Sequence, residues 1–175
     1  MNVTSDKLSS LHIFDGLTED EVTAVRHSVV QKSFNAGTQI LQEGAGIQAL
    51  WLILEGECVV SRSRDDGGGG HELARLKPGD VFGEMSFIRS APHSANIFTV
   101  TDVLTCVWKR EDYLKLAEQS PHAGFRIASN IAAVLAERIR RMDHWVCELM
   151  ARPDTQAHRD EWENFRSAVY TNWQF

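Results

Sequence analysis

The sequence predicts an α+β fold, a β-roll or jelly-roll barrel with N-terminal helices and a long C-terminal helix. Three observations support this prediction. Apolar residues recur at helical spacing over roughly the first 30 residues, a strand-like pattern with frequent turn residues runs from about residue 31 to 109, and helical spacing returns after Lys109. With 175 residues, of which 43% are hydrophobic, the chain can bury one core of ordinary size.

The first predicted elements are helical. Thr18 followed by Glu21 matches a capping box, and Val22, Val25 and Val29 recur behind it at helical spacing. The short apolar segment that precedes this box is expected to pack on whatever follows it in the fold.

Short strands are predicted next. Turn-forming pairs such as Glu55-Gly56 and Pro78-Gly79 separate runs of strand-forming residues. Many short strands at near-even spacing are typical of an antiparallel barrel or jelly roll. The predicted strands cover residues 38–41, 50–54, 57–63, 72–76, 95–100 and 104–108.

Two helices are predicted after the strands. Residues 111–119 form a short helix that ends before Ser120-Pro121, and a long helix runs from about 122 to 150. An apolar stripe in the long helix steps by four and three residues, as in a heptad repeat, and predicts the seam of a homodimer. Packing of this stripe on the barrel is the alternative interpretation. The stripe consists of Leu135, Ile139, Met142, Val146 and Leu149.

Residues 151–175 are predicted to form a helical tail that follows a domain of residues 1–150. Four apolar side chains of the tail share one helical face. This face either covers an apolar patch of the barrel or serves as a lid or a docking face for a partner helix. The four residues are Trp162, Phe165, Val169 and Trp173.

Composition argues against several classes of partner. The formal net charge of −6 gives no attraction to nucleic-acid phosphates or anionic membranes, so neither is an expected partner. No apolar run approaches the length of a membrane span, and the polar start is not a signal peptide. The odd number and wide spacing of Cys58, Cys106 and Cys147 predict buried thiols of a reduced cytoplasm.

No catalytic residue is predicted. Hydrolase, metalloprotease and kinase motifs are missing, so we do not expect an enzyme. The seven histidines show no ligand pair at helical or hairpin spacing, so neither a metal site nor a cofactor is expected. The glycine run at 67–70 lacks a following Lys-Ser or Lys-Thr, and we interpret it as a hairpin turn rather than a phosphate loop.

Two motifs together resemble a known family. Residues 76–85 read Leu-Lys-Pro-Gly-Asp-Val-Phe-Gly-Glu-Met, and Pro-His-Ser-Ala follows at 92–95. This combination resembles the phosphate-binding cassette of the cyclic-nucleotide-binding domain family, of the catabolite-activator-like kind but without the DNA-binding domain. The similarity covers roughly residues 11–150, so it identifies the predicted 1–150 domain as cyclic-nucleotide-binding-like.

The resemblance implies a ligand site in the cassette. Gly83 would let the backbone approach the ligand closely, Glu84 would accept a hydrogen bond from a ribose hydroxyl, and the Ser94 hydroxyl would reach a phosphate oxygen. A short helix starting near Ser86 would direct its free N–H groups at the anion. The implied contact set is Gly83, Glu84, Met85, Ser86, His93, Ser94 and Ala95.

The resemblance also implies a link from the cassette to the long helix. Arg138 is expected to pair with Glu84, while Met142 and Asp143 are expected to face the base. Asp143 could then accept a hydrogen bond from an exocyclic amine. The alternative is that Arg138 is a solvated surface residue.

His93 departs from the family pattern, because the family's nucleotide binders carry an arginine at this position. Arginine supplies a permanent charge and a two-pronged donor, whereas histidine supplies one donor and is charged only part of the time near neutral pH. The lost charge-assisted hydrogen bond is worth about 1.5–3 kcal/mol, or about ten- to a hundredfold in affinity. Cyclic AMP or cyclic GMP is therefore expected to be a weakly bound ligand.

Two functions remain open from the sequence. The first is a stand-alone regulatory module, a cytoplasmic homodimer that senses a cyclic nucleotide and passes the ligand state to its C-terminal helices. The second is a degenerate relative that no longer binds nucleotides and acts as a protein-interaction module through those helices, or binds another small ligand. A transcription-factor fragment is a weaker third class, because a DNA-binding domain is missing unless the chain is truncated.

Overall fold

The structure is a computed structural model that describes residues 3–63 and 71–150, the last two and His71 by their backbone only. The expected glycine hairpin and the aromatic tail lie outside these residues. The chain divides into two compact units, Met1–Ile131 and Ala132–Phe175. The division that the sequence suggests, after residue 150, stays a prediction.

Helices open the first unit. Helix α1 spans Ser5–Ser9, a 3-10 turn follows at His12–Phe14, and helix α2 spans Glu19–Ser28. The predicted capping box is confirmed, because the Thr18 N–H donates to Glu21 Oε2 over 2.9 Å and the Glu21 N–H donates to Thr18 Oγ1 over 3.3 Å. Helix α2 therefore begins where the sequence predicts.

In the described part of the chain, eight strands follow in two four-stranded sheets, and every strand pair found there is antiparallel. The spatial orders are β1-β8-β3-β6 and β2-β7-β4-β5. The predicted β-roll is confirmed. The strands are β1 (Val30–Phe34), β2 (Gln39–Leu41), β3 (Ala49–Glu55), β4 (Cys58–Arg62), β5 (His71–Leu76), β6 (Val81–Phe82), β7 (Asn96–Thr99) and β8 (Val103–Lys109).

Apolar side chains from both sheets fill the interior of the roll. Trp51 stacks on Phe82 with a centroid distance of 5.7 Å and an interplanar angle of 8°. The opposite face of β3 and β8 is buried as well, because Trp108 contacts the rings of Phe14 and Phe87 there. The interior cluster comprises Ile40, Leu41, Ala49, Trp51, Ile53, Cys58, Leu76, Phe82, Ile97, Val103 and Val107.

Two helices follow the roll, as predicted. Helix α4 spans Arg110–Gln119 and helix α5 spans Pro121–Met150. Ser120, whose backbone is extended, separates the two helices. The short helix α3, within the roll, spans Glu84–Ile88. The boundary between the two compact units falls inside α5.

A side-chain cluster ties α2 to the junction between α4 and α5. The Ser120 hydroxyl donates to Glu21 Oε1 over 2.6 Å, and His122 Nδ1 lies 3.0 Å from the same oxygen. The Ser120 hydrogen bond and the Thr18 N–H lower the pKa of Glu21 to about 2. The carboxylate is therefore ionised at neutral pH and holds the junction as an acceptor.

The second unit contains the rest of α5. Glu137 forms ion pairs of 2.8 Å with both Arg140 and Arg141. These two neighbouring arginines therefore have a counter-charge on the same helix. Ile139 and Met142 of the predicted seam are more than half exposed. The side chain of Leu149, the last seam residue, lies outside the described part of the chain.

The prediction of three buried thiols is wrong for Cys147, which is exposed on α5. Cys58 and Cys106 are buried in the roll, and burial raises the pKa of each thiol to about 11. Cysteine spacing alone does not distinguish a strand that is buried on both faces from a helix that presents one face to solvent. Among the described helices, none has the length and apolar content needed to cross a membrane.

Candidate functional site

The site is built around Gly83, which lies between β6 and α3. Its backbone has φ +77° and ψ 5°, the left-handed region that favours glycine. A Cβ atom at this position would lie 2.5 Å from the backbone oxygen of Ala49 and 3.2 Å from Cδ1 of Trp51. Both the backbone conformation and the close approach therefore require a glycine here.

The cassette helix starts earlier than the sequence suggests. It begins at Glu84 rather than near Ser86, because the left-handed Gly83 is its N-cap. The Phe87 N–H donates to the Gly83 oxygen over 3.0 Å and closes the first turn. As a result Glu84 and Ser86 are both buried, with 5% and 1% of their surface exposed, while Met85 is exposed.

The second half of the cassette is held by backbone hydrogen bonds to the loop after β2. The His93 N–H donates to the Ala45 oxygen over 2.8 Å, and the Gly44 N–H donates to the His93 oxygen over 2.9 Å. This pair of bonds fixes the direction of residue 93 relative to the roll.

Asn96 is a supporting residue that the sequence does not single out. Its Oδ1 accepts from the Glu43 N–H over 2.9 Å and from Gln39 Nε2 over 3.0 Å. It thus joins β7 to the same loop that holds His93. An asparagine at the start of a predicted strand is the only signal of this role in the sequence.

His93 lies inside the site with 6% of its surface exposed. Its Nδ1 lies 3.1 Å from the Ser86 hydroxyl, which also lies 3.0 Å from the Gly83 oxygen. Among the described residues, Nε2 has no hydrogen-bond partner. Burial lowers the pKa of His93 below its ordinary value, and the negative charge of Glu84 acts in the opposite direction.

Two side-chain contacts connect the halves of the cassette. Ser86 meets His93 in the interior, and at the surface the Ser94 hydroxyl donates to the sulfur of Met85 over 3.6 Å. Ala95 follows directly in the chain. Arg138, Met142 and Asp143 belong to the second compact unit, so the expected pairing with Glu84 and contact with a base stay predictions.

Permanent positive charge is scarce in this part of the chain. Between residues 78 and 108, Arg89 is the single lysine or arginine, and it is exposed. Within the described ranges there is no group of three histidine, cysteine, aspartate or glutamate side chains arranged to hold a metal ion. The buried part of the cassette therefore offers hydroxyl, imidazole and carboxylate groups.

Comparison with known proteins identifies this arrangement. A family model described as "Cyclic nucleotide-binding domain" matches residues 31–120. The cyclic AMP receptor protein of Thermus thermophilus is 35% identical over 131 residues, which cover 75% of this chain and 58% of the relative. A CRP-like cAMP-activated global transcriptional regulator of Mycobacterium tuberculosis is 25% identical over 143 residues, 82% of this chain and 62% of the relative. The chain thus spans about three-fifths of the length of these two relatives.

Solved structures share the fold. The crystal structure of Thermus thermophilus catabolite activator protein matches with a TM-score of 0.68 and 34% identity, over 79% of this chain and 62% of that chain. A cyclic nucleotide-binding domain from Methylobacillus flagellatus matches with a TM-score of 0.73 and 23% identity, over 85% of this chain and 83% of that chain. The second likeness concerns the fold alone.

Proposed function

Because the chain belongs to the cyclic-nucleotide-binding domain family, we propose that it is a regulatory module, not an enzyme, that binds a cyclic nucleotide. The observation that supports this proposal most is the joining of both cassette halves around Gly83. Ser86 contacts His93 in the interior, and the absence of a side chain at Gly83 lets the cassette turn lie close to Ala49 and Trp51.

Within the proposed site, each cassette residue has a chemical role. Glu84 is acceptor-only when ionised, so it suits a ribose hydroxyl. The exposed Ser94 hydroxyl suits a phosphate oxygen, and Met85 and Ala95 supply apolar contact beside it. His93 takes the place of the phosphate-binding arginine of the family.

We further propose that α5 carries the ligand state away from the roll. In this proposal Arg138 pairs with Glu84, and Met142 and Asp143 contact the base. Ile139 and Met142, the exposed residues of the apolar stripe on the same helix, suit a homodimer seam, and the C-terminal helices suit a protein partner. The cytoplasm is the proposed location, since a reducing compartment matches the three free cysteines.

A calorimetric titration of the full chain with cyclic AMP and cyclic GMP tests the proposal. We expect binding by at least one nucleotide, and we expect His93→Arg to bind it about ten- to a hundredfold more tightly. The arginine variant is the decisive control, because it restores the permanent charge in an otherwise unchanged cassette. If neither protein binds either nucleotide, the module is not a cyclic-nucleotide sensor.

A second candidate function is a relative that has lost nucleotide binding and acts as an interaction module. The observation in its favour is that His93 is buried and already engaged with Ser86, so the cassette has no permanent cation in its interior. This candidate function predicts that the His93→Arg variant does not bind cyclic nucleotides either. The titration above therefore separates the two functions.

A further inference from the structure

We propose that binding of a cyclic phosphate to this chain takes up one proton at Nε2 of His93, so that the site responds to pH as well as to ligand concentration. This inference rests on the proposed function above. It follows from the hydrogen bonds and charges that surround the imidazole.

The hydrogen bonds of Ser86 determine the tautomer of the neutral ring. Ser86 has one hydroxyl proton, and its oxygen lies 3.0 Å from the Gly83 oxygen and 3.4 Å from the Ile47 oxygen. Both carbonyl oxygens can only accept, so the hydroxyl proton is directed to one of them. The Ser86 oxygen then accepts from Nδ1 of His93, 3.1 Å away. The proton of the neutral ring is therefore held on Nδ1.

The other ring nitrogen, Nε2, is then left without a proton. With the proton on Nδ1, Nε2 presents a lone pair, and this atom is buried without a hydrogen-bond partner among the described residues. A phosphate oxygen is also an acceptor, so the neutral ring and the anion would repel each other. Protonation of Nε2 converts it into a charged donor, which forms a charge-assisted hydrogen bond with the anion. Anion binding and proton uptake are therefore coupled.

Burial and a neighbouring charge act in opposite directions on the protonation of His93. Glu84 on α3 is the charged group that acts on the ring, and it favours the imidazolium. In the loop after β2, the carboxylate of Glu43 is engaged by Arg62 and by the Ser63 N–H. Burial disfavours the imidazolium and is the larger effect, so the pKa of His93 in the free chain lies below its ordinary value. The free chain thus holds the ring neutral near pH 7.5, and the charge of a bound phosphate acts to raise the pKa.

The sign of the pH dependence follows. Since the ligand raises the pKa, the complex binds more protons than the free chain, and affinity rises as pH falls. Between the two pKa values the affinity changes by up to about tenfold per pH unit, and it levels off below the lower value.

The test is calorimetry of the full chain with cyclic AMP and cyclic GMP between about pH 6 and 8, each pH in two buffers of different ionisation enthalpy. The difference in heat between the buffers gives the number of protons taken up. We expect proton uptake to be largest between the pKa of His93 in the free chain and its pKa in the complex, where it should approach one proton per ligand, and we expect affinity to fall as pH rises through that interval. Adenosine, which lacks the phosphate, is the control ligand and should bind, if at all, without proton uptake.

Two variants make the result specific to His93. His93→Arg should bind with no proton uptake and with an affinity that does not change over this pH range, because its charge is permanent. Ser86→Ala removes the acceptor for Nδ1, so the ring can place its proton on Nε2 and donate while neutral. Its proton uptake should therefore fall clearly below the wild-type value.

The outcomes separate this inference from the proposed function. Wild-type binding without proton uptake would overturn the inference and leave the proposed function intact. Binding by His93→Arg while the wild type stays blind even near pH 6 would also overturn it, because the imidazolium would then fail to serve as the donor. Absence of binding by both proteins would remove the inference together with the proposed function.

Discussion

Ser120 and Glu21, 99 residues apart in the chain, share a hydrogen bond of 2.6 Å. The same carboxylate caps α2 through Thr18, so one side chain both starts a helix and holds the junction of α4 and α5. The rigidity of that junction therefore depends on the ionisation of Glu21.

Replacing Glu21 by glutamine should lower the free energy of unfolding by about 1–2 kcal/mol at pH 7, because hydrogen bonds to a charged acceptor become bonds to a neutral one. The pKa of the carboxyl is lowered from 4.5 to about 2, so its contribution is complete above about pH 4.5 and is lost as pH falls toward 2. Urea unfolding at both ends of this pH range should show that the difference in the free energy of unfolding between variant and wild type is smaller in acid. Glu19→Gln removes a charge from the same helical turn, and it is the control.

Gly83→Ala should destabilise the chain more than Gly37→Ala, although the two glycines have nearly equal φ values of +77° and +79°. In both variants an alanine must adopt the left-handed backbone conformation, which lowers the free energy of unfolding by about 1–3 kcal/mol. Only at Gly83 does a Cβ also meet the Ala49 oxygen and Trp51, which should add about 1–3 kcal/mol. Chemical denaturation measures the stability of both variants. Equal losses of stability would mean that residue 83 does not lie close to Ala49 and Trp51.

The ligand-free chain should lose stability as pH falls below about 6.5. Burial lowers the pKa of His93 from this ordinary value, so the unfolded chain binds more protons than the folded chain in that range. The His93→Gln variant should lack this part of the pH dependence. Thermal unfolding of both proteins between about pH 8 and 5.5 tests it, and parallel profiles would show that His93 does not contribute.

Charges in the apolar stripe should prevent self-association. Ile139→Glu combined with Val146→Glu would place carboxylates in the predicted seam, so sedimentation should find a monomer where the wild type is a dimer. Ala133→Glu with His144→Glu adds two carboxylates on other faces of α5 and should leave the dimer intact. A wild-type chain that is already monomeric at tens of micromolar contradicts the seam.

The proposed link between cassette and helix predicts coupling between Arg138 and Glu84. Arg138→Ala should cost about 3–5 kcal/mol of stability if it leaves the buried Glu84 without its counter-charge. The double variant with Glu84→Ala should then cost less than the sum of the single variants. Arg141→Ala, which removes an exposed partner of Glu137, should have little effect. Strictly additive losses would show that Arg138 and Glu84 do not interact.

Local signals made much of the fold predictable. The capping box at Thr18 and the breaker pair Ser120-Pro121 fix helix ends through contacts between near neighbours in the sequence. The first strand was not predicted, because it lacks such local signals. The strand Val30–Phe34 carries polar residues at its centre and an exposed Val30, so its strand character depends on the pairing with β8 rather than on apolar alternation.

The candidate site likewise has features that the sequence predicts and features that it does not. The positions of Gly83 and Glu84 follow from a motif that is contiguous in sequence. The inward orientation of His93 does not, because it depends on the hydroxyl of Ser86 and on backbone bonds to Gly44 and Ala45. The sequence therefore identifies the missing arginine. The contact between His93 Nδ1 and Ser86, and an Nε2 without a hydrogen-bond partner among the described residues, follow only from the three-dimensional arrangement.

The strand order has a consequence for how the chain folds as it leaves the ribosome. Strand β3, whose central run Leu50–Leu54 is fully buried, pairs along most of its length with β8. Among the described strands that partner is synthesised last, so the edge of β3 that pairs with β8 stays unpaired until β8 emerges. Closure then joins distant parts of the chain in one late step, and we expect refolding on the slow, millisecond-to-second scale of barrels rich in long-range contacts. During that delay the apolar side chains of β3 lack their native partner strand, and we expect chaperone binding to nascent chains to include this segment.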